Sequence, residues 1–292
     1  MNILIAGGTG NIGKALVNQL LTRNHTVFLL SRTEYPNPLN QLTSILWDGI
    51  TVPELNFEVN AIINLCGENI ASEPWTITRK QQLHDSRINP TKAIVNFIHQ
   101  AKHKPSLFIN ASAVGIYGDR GFDLLTEKSE NGKGYLAQLC SEWEAAASDA
   151  QCRTVLLRTG IVLDKLSGAL PEALKTFALG FGGYFGSGNQ GFPWIHIDDE
   201  VSAILFCIEQ NSIEGPVNLV APEVVSYKQF IQTASAIKGK IVIPAPEVAL
   251  KLILGSRAEM LLSSQYIYPE KLINAGFNFH FANIKDALKD LL

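Results

Sequence analysis

This chain has no long hydrophobic run, although apolar residues make up 46% of its composition. A helix that crosses a bilayer needs about 20 consecutive apolar residues, and no stretch approaches that length. The first residues, Met1–Gly8, also lack the basic flank and the long apolar core of a signal peptide. We therefore expect a cytoplasmic protein that does not associate with membranes.

Cysteine is scarce, and neither sign of charge is in clear excess. The four cysteines are widely separated, so their spacing indicates neither a zinc site nor a disulfide framework, and it fits a reducing compartment. The net charge of −3, with no run of like charges, gives no electrostatic signature for nucleic acid. These absences favour a small-molecule partner that is held in a pocket.

Short apolar segments alternate with helical patterns through the first 220 residues of the chain. The predicted strands are rich in leucine and β-branched residues, and they are Asn2–Ala6, Thr26–Leu30, Ser44–Leu46, Ala61–Leu65, Leu107–Ala111, Thr154–Arg158 and Val217–Val220. The helices predicted between them are Ile12–Arg23, Thr78–Lys102, Tyr135–Ala150 and Asp199–Gln210. This alternation predicts an α/β fold, a doubly wound parallel sheet of the Rossmann type.

The pattern changes after about residue 222. A capping box at Ser226–Gln229 predicts a helix through Ala236, and a short strand follows at Lys240–Ile243. Three further short helices are predicted at Glu247–Leu254, Arg257–Ser263 and Asn283–Leu291. We predict two parts. Residues 1–163 and 195–222 form a dinucleotide-binding domain, and residues 164–194 and 223–292 form a small α-rich C-terminal substrate lobe.

A glycine-rich turn joins the first predicted strand to the first predicted helix. Its glycines recur every three residues, directly after a strand and before a helix, which is the context in which this spacing indicates a dinucleotide-binding motif. Glycine permits unusual backbone angles and lets the backbone approach a pyrophosphate, and the helix N-terminus offers unpaired N–H groups. A tight turn that serves packing alone is the alternative. We interpret the turn as a dinucleotide site, with predicted cofactor contacts at Gly7, Thr9, Gly10, Asn11, Ile12 and Gly13.

The end of the second predicted strand distinguishes the two nicotinamide cofactors. An NAD site usually has an acidic residue there, which accepts hydrogen bonds from the adenosine ribose. This chain instead has Ser31 and Arg32, a hydroxyl donor and a cation that suit a 2′-phosphate. An arginine that is merely exposed at the surface is the alternative. We predict NADP(H) rather than NAD(H) as the cofactor.

Further motifs continue in a fixed order along the chain. They are Gly7–Gly13, Asn64–Ile70, Asp85–Asn89, Ser112–Asp119, Leu157–Leu163, Gly186–Gln190 and Trp194–Asp199. With these motifs the chain resembles the atypical extended short-chain dehydrogenases/reductases, in the branch related to sugar-nucleotide epimerases, and above all the YfcH-like epimerase family proteins. The resemblance covers nearly the whole chain. Its last part resembles that group's C-terminal segment, to which no role is usually assigned.

The resemblance implies a cofactor that lies across the carboxyl ends of the strands. It implies that Asp48, after the third strand, lies near the adenine. Arg158 and Thr159, after the sixth strand, would close the nicotinamide end. The residues that follow the fourth strand would line the adenosine and ribose side, and they include Leu65, Cys66 and Gly67.

The catalytic residues of such enzymes are only partly present. The family's reactive tyrosine is followed four residues later by a lysine, and a serine or threonine comes from the fifth strand. Here Tyr135 is followed at that spacing by Leu139, and the usual hydroxyl position is Ala113, next to Ser112. Arg87 either replaces some of the missing positive charge or binds a loop. We take Tyr135, Ser112 and Arg87 as the catalytic candidates.

Without the lysine, the sequence favours reduction over oxidation. An unperturbed tyrosine has a pKa near 10, so only about one in a thousand is ionised at pH 7. A reaction that uses the neutral phenol as an acid does not need the ionised form. We expect a reductase of a small carbonyl or nucleotide-sugar-like substrate, with Tyr135 giving the proton. Two alternatives stay open, a catalytically degenerate NADP(H)-binding sensor or scaffold and a nucleotide-sugar epimerase.

Substrate contacts are predicted on two segments of the chain. Glu68 and Asn69 follow the fourth strand. The segment Phe181–Trp194 is rich in glycine and aromatic residues, so it either covers the substrate or forms core under a loop. Its candidate substrate contacts are Tyr184, Gln190 and Trp194.

Two other expectations concern metals and assembly. His196 and Asp198 superficially resemble metal ligands, but we predict no metal site. Instead, Asp198 is predicted to cap the next helix and His196 to be a structural histidine. In the superfamily that this chain resembles, the helices that correspond to those of Arg87 and Tyr135 often form a dimer, so a homodimer is possible and the sequence leaves the oligomeric state open.

Overall fold

A computed structural model describes residues 1–34, 41–248, 255 and 258–292. Its strands are β1 (Asn2–Ala6), β2 (Thr26–Ser31), β3 (Leu42–Leu46), β4 (Ala61–Asn64), β5 (Leu107–Ala113), β6 (Leu124–Leu125), β7 (Arg153–Thr159), β8 (Ile161–Leu163), β9 (Phe181–Phe185), β10 (Gly191–Phe192), β11 (Trp194–His196), β12 (Gly215–Leu219), β13 (Val225–Ser226), β14 (Ile241–Ala245) and β15 (Tyr266–Ile267). The larger helices are α1 (Asn11–Thr22), α2 (Ile77–Gln100), α3 (Tyr135–Ser148), α5 (Ile197–Glu209) and α6 (Tyr227–Lys238), with the short α4 (Ala169–Ala173) between α3 and α5.

Seven of these strands form one parallel sheet in the order β12-β7-β5-β4-β1-β2-β3. The order reverses between β1 and β4, and in doubly wound folds the ligand crevice opens outside the carboxyl ends of the strands at that point. The predicted Rossmann sheet is therefore confirmed. β5 continues two residues beyond its predicted end and β7 continues one, because Ala113 and Thr159 still pair in register.

The two faces of the sheet carry separate apolar cores, as expected for strands that helices cover on both sides. Along β1, Ile3 and Ile5 pack on the face that α1 and α5 cover, and Leu4 packs on the face that α2 and α3 cover. All three side chains are fully buried, and burying one such side chain contributes about 1.5–3 kcal/mol. The sheet is therefore a firm frame that fixes the position of each strand end.

Local capping signals set the ends of the helices. Asn24 follows α1 with a φ of 60°, the left-handed conformation in which asparagine can end a helix. The capping box at Ser226 is also confirmed, since its hydroxyl accepts from the backbone N–H of Gln229 and its own N–H donates to the Gln229 side chain. α6 then continues to Lys238, two residues beyond the predicted end.

A third apolar core lies under the C-terminal segment and joins α6 to the last helix. The short helices of this segment are Ala258–Leu262, Glu270–Asn274 and Ile284–Leu291. Asn283 caps the last of them rather than beginning it, because its side chain accepts from the backbone N–H of Asp286. The predicted helix Glu247–Leu254 falls mostly outside the described residues. The division into two lobes stays a prediction.

The glycine-rich and aromatic segment Phe181–Trp194 is not a loop along its length. β9 pairs with β14, β10 with β13, and β11 with β8. Strand pairing fixes most of its backbone, so the segment is a loop over only part of its length. Its two predicted roles, a cover over the substrate and core under a loop, stay predictions. Among the described helices, none combines the length and the apolar character that crossing a membrane requires.

Candidate functional site

A cleft of about 570 Å³ lies outside the carboxyl ends of β1, β4, β5 and β7. It brings together predicted residues that are far apart in the sequence. From the predicted cofactor set it includes Gly7, Gly10, Asn11, Ile12, Gly13, Leu65, Cys66, Gly67 and Thr159. From the predicted catalytic and substrate sets it includes Ser112, Arg87, Glu68, Asn69 and Gln190. Outside its lining lie Thr9, Ser31, Arg32, Asp48, Arg158, Tyr135, Tyr184 and Trp194.

The glycine turn packs so closely that side chains cannot replace two of its three motif glycines, Gly7 and Gly13. Gly7 has a φ of +79°, and a Cβ there would lie 2.6 Å from the Leu65 carbonyl carbon. A Cβ on Gly13 would lie 2.4 Å from the Gly7 oxygen. Gly10 differs, because its Cβ would meet only that oxygen, at 3.4 Å. Two of the three glycines thus serve the fold of the turn, and the third leaves open space on the cleft side.

The N-terminus of α1 is uncapped and belongs to the cleft wall. Gly10 is the N-cap residue, no side chain caps the helix, and its first turn has no acidic residue. Its first N–H groups therefore have no partner within the helix, and the helix dipole adds positive potential there. The Asn11 amide donates to Ser167, whose hydroxyl donates to Asp164, so the loop after β8 is tied to this turn. Thr9 is exposed at its rim.

The segment after β2 presents a cation near this end of the cleft. Ser31 is buried, and its hydroxyl accepts from the backbone N–H of Thr33. Arg32 is exposed and makes no ion pair with the residues that the structure describes. Burial raises the pKa of the Cys66 thiol to about 12, and the Arg32 charge opposes that rise, so Arg32 lies close to the cleft.

Asp48 stands apart, at the surface beyond β3. Its carboxylate accepts from the backbone N–H groups of Ile50, at 2.8 Å, and Thr51, at 3.3 Å. These backbone hydrogen bonds lower the pKa of Asp48. The side chain thus shapes its own turn, and its predicted place near the adenine stays a prediction.

Arg158 corrects one predicted cofactor contact. Its guanidinium donates to both Glu144 carboxylate oxygens at 2.9 Å and to the Tyr117 hydroxyl at 2.9 Å, and it is only 5% exposed. Thr159 ends β7 and lines the cleft, whereas Glu144 of α3 holds the Arg158 guanidinium in the core. The Ser112 hydroxyl, which does line the cleft, also donates to Glu144, at 2.7 Å.

Tyr135, the leading catalytic candidate, lies outside the lining of the cleft. Its hydroxyl donates to the Lys80 carbonyl oxygen at 3.2 Å, and its ring lies 5.3 Å from that of Trp75. Tyr135 is the first residue of α3 and lies outside the cleft lining, while Leu136 and Leu139 of the same helix line the cleft. The predicted role of Tyr135 as proton donor stays a prediction, and it would require the bond to Lys80 to break.

Arg87 lies on the cleft and holds one of its loops. Its guanidinium donates to the Glu68 and Leu83 carbonyl oxygens at 2.9 Å and stacks over the Trp143 ring at 5.3 Å. Burial lowers its pKa. Both of its predicted roles, a cation at the site and a loop anchor, are thus compatible with its position. Glu68 pairs with Arg79.

Two of the predicted substrate contacts belong to the core. Trp194 is 1% exposed, and its indole N–H donates to the Glu223 carbonyl oxygen at 3.1 Å. Tyr184 lies in β9 with the Lys228 ammonium over its ring at 5.4 Å, outside the cleft. Both side chains pack beside α6 and lie outside the cleft lining, so the structure does not bring them to the predicted substrate site. Gln190 does line the cleft, and the Asn69 side chain accepts from the backbone of its own turn.

The acidic segment before α5 also differs from prediction in one respect. His196, not Asp198, caps the helix, because its Nδ1 accepts from the backbone N–H of Asp198 at 3.1 Å. His196 is buried, stacks on Phe281 and lies 3.3 Å from the Asp290 carboxylate, as a structural histidine would.

Glu200, on α5, was missed by the sequence reasoning. Thr159 donates to one of its carboxylate oxygens at 2.9 Å, and the other oxygen is buried without a partner. Burial raises its pKa from 4.5 to about 8. The available signal was its helical spacing, since Glu200 falls on the apolar stripe with Ala203, Ile204 and Cys207.

Tyr227, the first residue of α6, was also missed. It lines the cleft and is 8% exposed, with its ring against those of Phe185, Phe192 and Phe230. Burial raises the pKa of its phenol to about 12. No sequence signal identified it, because the capping box explains this position only as a helix start.

With this geometry in place, comparisons with known proteins establish the family. The chain belongs to the NAD dependent epimerase/dehydratase family, which matches residues 3–220, and a domain of unknown function (DUF1731) matches residues 245–291. Epimerase family protein MT2273 of Mycobacterium tuberculosis is 39% identical over 98% of this chain and 96% of its own length. Human epimerase family protein SDR39U1 is 34% identical over 100% of both chains. The predicted resemblance is confirmed.

Solved structures agree with this assignment. A crystal structure of human SDR39U1 (isoform 2) with NADPH has a TM-score of 0.90 at 33% identity, and the match covers 100% of this chain and 99% of that chain. The nucleoside-diphosphate sugar epimerase of Corynebacterium glutamicum has a TM-score of 0.79 at 32% identity, over 99% of this chain and 57% of that chain.

Proposed function

We propose that this protein binds NADP(H) in the cleft and uses it to reduce a small carbonyl compound. The observation that carries the binding is the uncapped N-terminus of α1 on the cleft wall, with the exposed Arg32 nearby and without an ion-pair partner among the described residues. A helix N-terminus of this kind suits a pyrophosphate, and a guanidinium suits a 2′-phosphate. The NADPH found in the structure of human SDR39U1 supports the same cofactor here.

The residues present fit this cofactor along the whole cleft. Gly10 leaves the open space that a pyrophosphate needs, and the segment from Leu65 to Gly67 forms the wall beside it. When bound, NADPH supplies a hydride. The protein's own part is then to hold the carbonyl, exclude water and provide a proton. Leu136, Leu139 and Trp143 give the far wall an apolar surface suited to a small, weakly polar substrate.

Reduction is favoured over epimerisation by the acid–base groups of the cleft. Epimerisation through a transient ketone needs a base as well as an acid. The tyrosine–lysine pair that would supply one is replaced by Tyr135, which is bonded to Lys80, and by Leu139. Of the acidic side chains on the cleft, Glu68 is paired with Arg79, and burial raises the pKa of Glu200 to about 8, which favours its protonated form at neutral pH. A nucleotide-sugar epimerase is therefore the weaker alternative.

A second candidate function is an NADP(H)-binding sensor or scaffold without turnover. The observation that favours it is the same loss of the tyrosine–lysine pair from the cleft wall. Binding and chemistry are separated by titrating the protein with NADPH, through the change in nicotinamide fluorescence, and then measuring NADPH oxidation with a panel of small aldehydes and ketones. Reductase function predicts both binding and carbonyl-dependent oxidation. Tight binding with no oxidation across the panel indicates the sensor, and absence of binding overturns both.

A further inference from the structure

The ring of Tyr227 packs against other aromatic rings, whereas its hydroxyl has no hydrogen-bond partner among the described residues. The ring lies 5.6 Å from Phe192, 5.9 Å from Phe230 and 6.4 Å from Phe185, between centroids. The hydroxyl makes no hydrogen bond with any residue that the structure describes. Among the described residues, the buried side-chain atoms that lack a partner do not include this hydroxyl, so it keeps access from the cleft that Tyr227 lines. A phenylalanine would pack equally well, so packing alone does not account for the hydroxyl.

Backbone pairing fixes Tyr227 to the part of the cleft beside β7. Its N–H donates to the Gln190 carbonyl oxygen at 2.9 Å, directly after the pairing of β13 with β10. The segment after β10 is tied in turn to the residues after β7, since the N–H of Ile161 donates to the Pro193 carbonyl oxygen. The residues after β7, including Thr159 and Ile161, line the same cleft. The phenol is therefore held on a firm wall of the site.

The other hydroxyl groups considered for this site already donate their protons within the protein. Their acceptors are Glu144 for Ser112, the Lys80 carbonyl oxygen for Tyr135 and Glu200 for Thr159. Each has a protein acceptor within 3.2 Å, so it would have to break that bond before it could donate to a ligand. Tyr227 would break none.

The electrostatic surroundings of Tyr227 keep it a neutral phenol. Burial is what raises its pKa to about 12, with no charged neighbour contributing. At neutral pH the group is thus a hydrogen-bond donor and an acid, and it is not a base. It remains far more acidic than an alcohol, so a proton can pass from it to a newly formed alkoxide.

We propose that the Tyr227 hydroxyl donates a hydrogen bond to the carbonyl oxygen of the substrate and supplies the proton that completes its reduction. This inference rests on the proposed NADP(H)-dependent reduction. The carbonyl carbon gains a hydride, its π bond breaks toward oxygen, and that oxygen takes the phenol proton. The carbonyl is reduced to an alcohol by two electrons, the dinucleotide is oxidised by two, and the phenolate regains a proton from water.

The test compares two tyrosines that each lose only a hydroxyl, Tyr227→Phe and Tyr135→Phe, the second being the competing candidate whose hydroxyl is bonded to the Lys80 carbonyl oxygen. The probe is 4-(dimethylamino)cinnamaldehyde, whose absorption moves to longer wavelength when its carbonyl oxygen accepts a strong hydrogen bond. With NADP⁺ present, we expect that red shift in the wild type and in Tyr135→Phe, and its loss in Tyr227→Phe. With NADPH, Tyr227→Phe should oxidise the cofactor about 100-fold more slowly, the scale of a lost general acid.

Two controls separate the possible failures. NADPH binding, measured by nicotinamide fluorescence, should be equal in all three proteins, and the thermal unfolding of Tyr227→Phe should not fall below that of the wild type. If NADPH fails to bind to the wild type, the proposed function fails and this inference falls with it. If NADPH binds but the probe shows no red shift in the wild type, or the same shift in Tyr227→Phe, the role of Tyr227 alone is overturned. A less stable Tyr227→Phe would also overturn it, by showing that the hydroxyl has a structural partner.

Discussion

The two ends of the cleft are built on different principles. The phosphate end is formed by consecutive residues, Gly7–Gly13, and uses backbone N–H groups and the absence of side chains. The reactive end is formed by side chains from distant parts of the chain, among them Ser112, Thr159 and Tyr227. Most of its polar side chains already form hydrogen bonds within the protein when no ligand is bound. The difference predicts that the proposed cofactor binding and the proposed reduction can be lost independently, since the residues assigned to them are almost entirely different.

The largest expected effect concerns the buried ion pair beneath the reactive end. Arg158→Met leaves the Glu144 carboxylate buried without its cation, and breaking such a pair costs about 3–5 kcal/mol of folding free energy. Urea unfolding measures the loss. The double variant Arg158→Met/Glu144→Leu removes both charges and should recover much of it. A single variant as stable as the wild type would show that this network does not support the reactive end.

The second expected effect is a pH dependence of stability centred on Glu200. Its pKa is raised from 4.5 to about 8, so between these values the folded state binds more protons than the unfolded state. The free energy of unfolding therefore falls as pH rises through that window, by roughly 3 kcal/mol between pH 5 and 8. Glu200→Gln should remove this part of the decline. Identical slopes of unfolding free energy against pH in the two proteins would contradict the assignment.

The third expected effect separates folding from binding at the phosphate end. Gly13→Ala places a Cβ 2.4 Å from a backbone oxygen, and overpacking of this kind costs about 1–3 kcal/mol. It should lower both the thermal stability and the affinity for NADPH. Gly10→Ala meets only one atom, at 3.4 Å, so it should weaken NADPH binding while stability changes by no more than about 0.5 kcal/mol. Equal loss of stability in both variants would mean that there is no open space beside Gly10.

The smallest expected effect on stability is that of a substitution at Arg32. Its effect on cofactor binding should be specific to NADPH. Arg32→Ala should weaken NADPH binding about tenfold to a hundredfold, the cost of one charged hydrogen bond, and leave NADH binding unchanged. The matched control is Arg23→Ala, which removes another exposed guanidinium that is paired with Glu209. Fluorescence titrations with both cofactors measure the effect. A parallel loss for NADPH and NADH would argue against a 2′-phosphate contact.

The same contrast explains what could be predicted from the sequence. The sheet and the glycine turn depend on local patterns, and both are present as predicted. The reactive end depends on side-chain direction, which spacing alone does not give. Tyr135 lies on the predicted helix but its hydroxyl is bonded to Lys80 outside the cleft lining, and Arg158 faces the core one residue before Thr159 reaches the site. Tyr227 comes to the cleft through the pairing of β10 with β13, a long-range contact that no local motif encodes.

The central claim is that the uncapped α1 N-terminus and Arg32 together bind a dinucleotide that carries a 2′-phosphate. Isothermal titration of the wild-type chain with NADPH and with NADH, at the same ionic strength, tests it most directly. The account predicts that NADPH binds at least about tenfold more tightly than NADH, through the charged hydrogen bond to the 2′-phosphate. Equal affinities, or tighter binding of NADH, would contradict it.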